Sequence, residues 1–198
     1  MLNLPNILSL GRIFVIPFLV LVFYLPVAWA HTAAAIIFAL ACLTDWLDGY
    51  LARSLKQATK FGAFLDPVAD KMMVSIVLVL IAAEQQFQVV SWHANTYVIP
   101  AFVITLPAAI IVSREVIVSA LREWMSEVGK RTSVAVSHLG KIKTTLQMIS
   151  LIILLYCSPS VHPFFLILGY ITLYAAAVLT IWTMVIYLKA SWPEFKID

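Results

Sequence analysis

This sequence contains six long apolar stretches, and each is long enough to cross a lipid bilayer as a helix of about 20 residues. The chain is 63% hydrophobic and only 12% charged, against about 45–50% and about 25% in soluble domains. We therefore predict an all-α integral membrane protein with one domain over residues 1–198. The predicted spans are about Leu8–Ala28, Thr32–Leu55, Phe61–Ala83, Tyr97–Met125, Val136–Tyr156 and Phe164–Leu188.

Two segments outside the spans have distinct patterns. Leu2–Leu8 mixes apolar and amide residues, with Pro5 suited to a first helical turn and Asn3 to a cap. This segment predicts a short interfacial helix before the first span. The polar run Glu84–Asn95 predicts a loop between the third and fourth spans.

The distribution of positive charge predicts the orientation. The 13 lysines and arginines avoid the connections after the first, third and fifth spans. They lie at the termini, in the other two connections or in the adjoining span ends. Because cytoplasmic segments carry the excess of Lys and Arg, both termini are predicted in the cytoplasm.

Acidic side chains cluster where the second span ends and the third begins, near the same cytoplasmic boundary. The four aspartates are Asp45, Asp48, Asp66 and Asp70. Helical spacing places each pair on one face, and a tight turn would bring the two faces together. The same faces carry small or cationic residues, namely Gly49, Ala52 and Arg53 in the second span and Gly62 in the third.

Four carboxylates in an apolar setting need counter-charge, because acids at membrane depth are costly and usually functional. Two Mg²⁺ or Mn²⁺ ions would balance them, and a two-metal site is a known clamp for displacement at phosphorus. Arg53 could bind a phosphate bidentately. Two alternatives stay open from spacing alone. The acids could pair with nearby cations at a wet helix end, or they could form part of a cation transporter.

The run from Asp45 to Asp70 reads D-x2-D-G-x2-A-R-x8-G-x3-D-x3-D with every fixed position filled. This pattern resembles the signature of the CDP-alcohol phosphotransferase family. The wider context is similar to bacterial members that make phosphatidylglycerophosphate. It comprises Pro5-Asn6, Arg12, Phe61–Lys71, Ser113-Arg114-Glu115, Ala120–Glu123 and Gly140–Thr144.

The resemblance implies a six-helix fold, usually a homodimer, in the bacterial inner membrane with the active site on the cytoplasmic side. It implies two Mg²⁺ or Mn²⁺ ions held by Asp45, Asp48, Asp66 and in part Asp70. It also implies that Asp70 is the catalytic base. The predicted contacts to CDP-diacylglycerol are Gly49, Ala52, Arg53, Gly62 and Asn6.

The implied acceptor is sn-glycerol 3-phosphate, whose phosphate needs a second anion site. Arg114 lies deep in the fourth span and requires a partner, while its neighbour Glu115 is expected to point elsewhere on the helix. The predicted acceptor-phosphate residues are Arg114, Lys141 and Lys143, with Arg122 and Arg131 as further candidates. Alternatively, the two lysines are topological anchors or contacts to anionic membrane lipids.

Other products remain open within the family, namely phosphatidylserine or an inositol phosphate lipid. A non-catalytic lipid-binding homologue is a further alternative. The partners expected are the two substrates, membrane lipids and a second copy of the chain, with no nucleic acid.

Overall fold

The computed structural model describes residues 4–54, 60–92, 95–129, 138–157 and 162–192. Six long helices make up most of this part and confirm the all-α membrane fold. They are α1 (Leu4–Phe23), α2 (Ala30–Ser54), α3 (Lys60–Ala83), α4 (Phe102–Glu127), α5 (His138–Tyr156) and α6 (Pro163–Ser191).

Four helices, α1, α4, α5 and α6, are long and apolar enough to cross a membrane. In α2 the apolar part is the shorter stretch Ala30–Asp45. The first half of α3 carries Asp66, Asp70 and Lys71, which interrupt its apolar sequence. The two helices that are less uniformly apolar, α2 and α3, are therefore the two that carry the acidic motif. The number of six membrane spans stays a prediction.

The helices form a ring in which α1 packs between α2 and α3. From α2 the ring continues through α5, α6 and α4 back to α3, and α3 also contacts α5 across the interior. Because α1 contacts both helices that carry the acidic motif, side chains of this third helix can also contribute to the site.

Burial along α1 shows how the sequence sets this arrangement. Its buried positions recur every three or four residues, as expected for one helix face, and change from polar to apolar along the chain. They are Asn6, Ser9, Arg12, Ile16, Leu19, Val22 and Phe23. On the opposite face Phe14 is 74% exposed. Apolar side chains that face outward are what a lipid environment requires.

Two sequence predictions about the connections need correction. The helix α1 runs unbroken from Leu4 to Phe23, so the described part of the segment predicted as a separate interfacial helix forms its first turns. The predicted loop after α3 contains a short 3₁₀ helix (Gln85–Gln88) and a hairpin of β1 (Val89–Trp92) and β2 (Asn95–Val98). Tyr97, predicted in the fourth span, lies in β2 and pairs with Val90.

The hairpin end of the bundle is fixed by tyrosine hydroxyls of α6. Tyr170 donates to the backbone oxygen of Phe87 at 2.6 Å, and Tyr174 donates to that of Val103 at 2.8 Å. Phe87 is itself buried in the main apolar core. These contacts hold α4, α6 and the hairpin connection together at the end opposite the acidic motif.

Candidate active site

Three of the four predicted acids converge on one guanidinium group, that of Arg12 in α1. Arg12 Nη1 donates to Asp45 in the second half of α2. The oxygens of Asp66 and Asp70 in α3 each lie 3.6 Å from an Nη atom of the same arginine. Asp66 and Asp70 therefore lie on one face of α3, as predicted. Arg12 of α1 links them to Asp45 of α2.

Water reaches the carboxylates but hardly reaches the arginine. The Arg12 side chain is 3% exposed, whereas those of the three acids are between 35% and 42% exposed. Ser9, one turn earlier in α1, donates its hydroxyl to Asp66. The acids are therefore held from the protein side by α1 and remain open on the other side.

Arg12 and Ser9 were not among the predicted site residues, although Asn6 of the same face was. Asn6 is buried in the first turns of α1. A signal for Arg12 was available, because an arginine two turns inside an apolar helix is costly without a partner. Its partners could not be named, since the packing of α1 between α2 and α3 is a tertiary feature.

Several predicted site residues cannot be placed in the same detail. The backbone of Asp48, Gly49, Ala52 and Arg53 belongs to α2, but their side chains lie outside the described part of the structure. Gly62 is described, and it is buried one turn before Asp66.

The donor chemistry of the acid cluster fits a hard divalent cation. Asp45, Asp66 and Asp70 present carboxylate oxygens around one centre of positive charge, and such oxygens are the ligands that Mg²⁺ and Mn²⁺ prefer. Within the described residues no three His, Cys, Asp or Glu side chains are arranged for a metal. The three described carboxylates are instead directed toward the Arg12 guanidinium.

A single cavity of about 370 Å³ joins the acid cluster to a second group of charged residues. Asp45, Asp66 and Asp70 line one part of its wall. The other part is lined by Arg114, Glu115 and Arg122 of α4, Lys143 of α5 and Tyr187 of α6, among others. Two groups that lie far apart in sequence therefore share one open cavity.

The cations of this second group are held by Glu115 and Tyr187. Glu115 Oε1 lies 3.2 Å from Arg114 Nη1 and 2.5 Å from Lys143 Nζ. The guanidinium carbons of Arg114 and Arg122 lie 5.6 and 5.5 Å from the centre of the Tyr187 ring, within cation–π range. The three cations and one carboxylate leave two net positive charges, which match a phosphate monoester dianion.

The expected partner for Arg114 exists, but the expectation about Glu115 was wrong. Adjacent positions on a helix point about 100° apart, which suggested that Glu115 would face away. Both side chains are long, however, and Lys143 on α5 draws the Glu115 carboxylate into the gap between the helices. Thr183 of α6 is a second partner, at 3.4 Å from Arg114 Nη2.

The other cations predicted to bind the acceptor phosphate differ in their position relative to the cavity. Lys143 is buried in the cavity wall. Lys141 is exposed and is not among the lining residues, although the adjacent Gly140 is. Arg131 lies outside the described residues. Lys71, not predicted as a site residue, lines the cavity and donates to Ser119 of α4.

Comparison with known proteins identifies the family. A family model described as CDP-alcohol phosphatidyltransferase matches residues 2–182. The chain is similar to proteins named CDP-diacylglycerol–glycerol-3-phosphate 3-phosphatidyltransferase in three bacteria. With that of Yersinia enterocolitica it is 54% identical over 193 residues, or 98% of this chain and 97% of the relative.

The similarity is as extensive for two other relatives of the same name. The Escherichia coli K12 protein is 51% identical over 189 residues, covering 96% of this chain and 94% of the relative. The Pseudomonas fluorescens protein is 48% identical over 198 residues, covering 100% of this chain and 94% of the relative.

These matches confirm the resemblance that the acidic motif indicated. Bacterial relatives and long apolar helices together identify a multi-pass membrane protein. The matched family generally depends on divalent metals. On the evidence of its motif, its helical fold and its full-length similarity to curated relatives, the chain belongs to the CDP-alcohol phosphatidyltransferase family.

Proposed function

We propose that this protein transfers the phosphatidyl group of CDP-diacylglycerol to sn-glycerol 3-phosphate, which gives phosphatidylglycerophosphate and CMP. The observation that carries the proposal is the single cavity shared by the acid cluster and the Arg114–Lys143 cations. One part suits a metal-bound pyrophosphate, and the other suits the phosphate dianion of the acceptor. Serine brings no phosphate, so it would leave the buried cations without a matching charge.

In the proposed reaction the primary hydroxyl of the acceptor attacks the phosphorus that carries the diacylglycerol, and CMP leaves. Asp70 accepts the hydroxyl proton as the new phosphorus–oxygen bond forms. Arg114, Lys143 and Arg122 hold the acceptor phosphate, so that its far hydroxyl is directed toward the acids. Most of the acceleration then comes from positioning and from stabilisation of charge, as in other phosphoryl transfers.

Divalent metal ions, two Mg²⁺ or Mn²⁺, would be held by Asp45, Asp48, Asp66 and Asp70. When bound they supply positive charge for the pyrophosphate and for the departing CMP. The adjacent residues Gly49, Ala52 and Arg53, with Gly62 and Asn6, are proposed to contact CDP-diacylglycerol. In this proposal Arg12 holds Asp45, Asp66 and Asp70 in place from the protein side.

The proposed location is the bacterial inner membrane, with the cavity and both termini on the cytoplasmic side. Support comes from the placement of described cations, because Arg12, Lys71, Arg114, Arg122 and Lys143 all lie at the acid end. The opposite part of the bundle is filled by a buried apolar core, which disfavours a continuous ion path. A homodimer stays a prediction from the family resemblance.

The activity is tested with purified protein, CDP-diacylglycerol, Mg²⁺ or Mn²⁺, and separate acceptors. Glycerol 3-phosphate should support CMP release, whereas serine and inositol 1-phosphate should not. Release with serine or inositol phosphate alone would replace the proposed product by another lipid of the family. No release with any acceptor would contradict an enzymatic function.

The role of Asp70 is tested by Asp70→Asn. This variant should still bind CDP-diacylglycerol in the presence of metal but should lose about 10²–10⁴-fold in turnover, the usual contribution of a positioned base. Glu127→Gln, which changes an exposed carboxylate at the end of α4, is the matched control. Near-normal turnover of Asp70→Asn would exclude Asp70 as the base.

A further inference from the structure

One helix face of α5 forms a continuous part of the cavity wall. Its lining residues are Gly140, Lys143, Thr144, Gln147 and Met148, spaced as one side of a helix. Gln147 is the polar residue farthest from the start of α5 on this face, one turn beyond Lys143. It therefore lies where the polar cavity meets the apolar core.

The side-chain oxygen of Gln147 is buried without a donor. Gln147 is 2% exposed, and its Oε1 has no hydrogen-bond partner among the described residues. A buried acceptor without a donor costs more free energy than a typical hydrogen bond contributes, and such groups are rare in native structures. Because Gln147 lines the cavity, a turn of its amide group would bring this acceptor to a donor on a bound substrate.

Most other polar side chains on the cavity wall that come from α5 and α3 are directed to other partners, whereas Arg114 Nε of α4 is, like Gln147 Oε1, buried without a partner among the described residues. Lys143 Nζ contacts Glu115, and the Thr144 hydroxyl donates to the backbone oxygen of Gly140 at 2.9 Å. Lys71 Nζ donates to Ser119. The donor for Gln147 is therefore expected from a molecule that enters the cavity.

The chemistry of the acceptor supplies that donor. Glycerol 3-phosphate carries its phosphate at one end, the attacking hydroxyl at the other and a secondary hydroxyl between them. The cavity wall carries both cations and acids, and Gln147 lines the same cavity. We propose that Gln147 Oε1 accepts a hydrogen bond from the secondary hydroxyl, and so selects acceptors that carry a hydroxyl next to the reacting carbon.

This inference rests on the proposed function, and one substrate pair tests it separately. The second acceptor is 3-hydroxypropyl phosphate, which keeps the phosphate and the primary hydroxyl but lacks the secondary hydroxyl. The measured quantity is the ratio of kcat/KM for glycerol 3-phosphate to kcat/KM for this analogue. The ratio does not depend on the fraction of active enzyme, so a partly unfolded variant still gives a valid answer.

The wild-type ratio should be about 10-fold or more, because the analogue leaves the amide oxygen unpaired. Gln147→Met, of similar volume without an acceptor, should bring the ratio close to one, mainly through a higher KM for glycerol 3-phosphate. Gln147→Leu serves the same purpose if the methionine variant does not fold. Gln147→Glu keeps an acceptor oxygen and should retain the preference, although its negative charge weakens binding of both phosphates.

Gln85→Met, an exposed glutamine in the connection after α3, is the matched control and should leave the ratio at its wild-type value. If Gln147→Met and Gln147→Leu kept the wild-type ratio, or if the wild-type ratio were already near one, the proposed role of Gln147 would be overturned while the transferase activity stood. Absence of CMP release by the wild type with both acceptors would instead overturn the proposed function, and the inference with it.

Discussion

Arg12 offers the sharpest test of how the acid cluster is stabilised. The variant Arg12→Met keeps most of the side-chain volume but removes the positive charge that Asp45, Asp66 and Asp70 share. If the guanidinium and the divalent metals supply the same counter-charge, each should partly replace the other. The variant should then be destabilised most when metal is absent.

The size of the effect follows from burial. Removal of one partner from a fully buried ion pair costs about 3–5 kcal/mol. Arg12 is 3% exposed, but its three partners are between 35% and 42% exposed, so water can hydrate them after the change. We therefore expect a smaller loss, about 2 kcal/mol, near the value of one hydrogen bond to a charged group. For a domain of this size the loss corresponds to about 4–8 °C in Tm.

The assay is thermal unfolding of purified protein in one detergent, once with EDTA and once with saturating Mg²⁺. With EDTA, Arg12→Met should melt about 4–8 °C below the wild type. With Mg²⁺ the difference should fall to less than half of that value. Lys189→Met, which removes an exposed cation near the end of α6, is the control and should melt like the wild type in both conditions. An equal loss for Arg12→Met with and without Mg²⁺ would refute the reasoning.

Two further predictions concern packing and charge. A Cβ at Gly169 would lie 2.6 Å from Leu154 Cδ2, so Gly169→Ala should destabilise the α5–α6 contact by about 1–3 kcal/mol. Gly11→Ala, with nothing within 4 Å of the added atom, should be neutral or up to about 1 kcal/mol stabilising, and equal melting of the two variants would contradict this. Glu115→Gln leaves two buried cations without their carboxylate and should cost about 3 kcal/mol. Glycerol 3-phosphate should raise the Tm of Glu115→Gln more than that of the wild type, and equal shifts would count against the charge argument.

The sequence was most informative where one local rule decides the outcome. The length of the apolar stretches predicted the long helices, because a membrane-spanning helix needs about 20 apolar residues. The i, i+4 spacing predicted that Asp66 and Asp70 share a face, and both lie 3.6 Å from Arg12 Nη atoms. The separate interfacial helix was wrong, because the chain from Leu4 onward belongs to the same helix that forms the first span.

The rest of the site depends on which helices become neighbours. The partners of Arg12 follow from the position of α1 between α2 and α3, which no local pattern encodes. Glu115 turned toward Arg114 because Lys143 approaches from another helix, 28 residues later in the chain. Gln147 was missed because a single amide in an apolar helix becomes informative only when its partners are known. The hairpin strands are four residues each, too short for a distinct alternating pattern.

The ion pairs of Arg12 also bear on how the protein is made. Arg12 lies about 12 Å along α1 from Leu4, at 1.5 Å per residue. Asp45 is 33 residues further on, so at about 5–20 residues per second it leaves the ribosome roughly 2–7 s later. During that interval α1 carries a cation whose carboxylates do not yet exist. Its first turns are therefore expected to remain in the headgroup region until α2 and α3 arrive, and assembly of the acid cluster would be the step that draws α1 to its final depth.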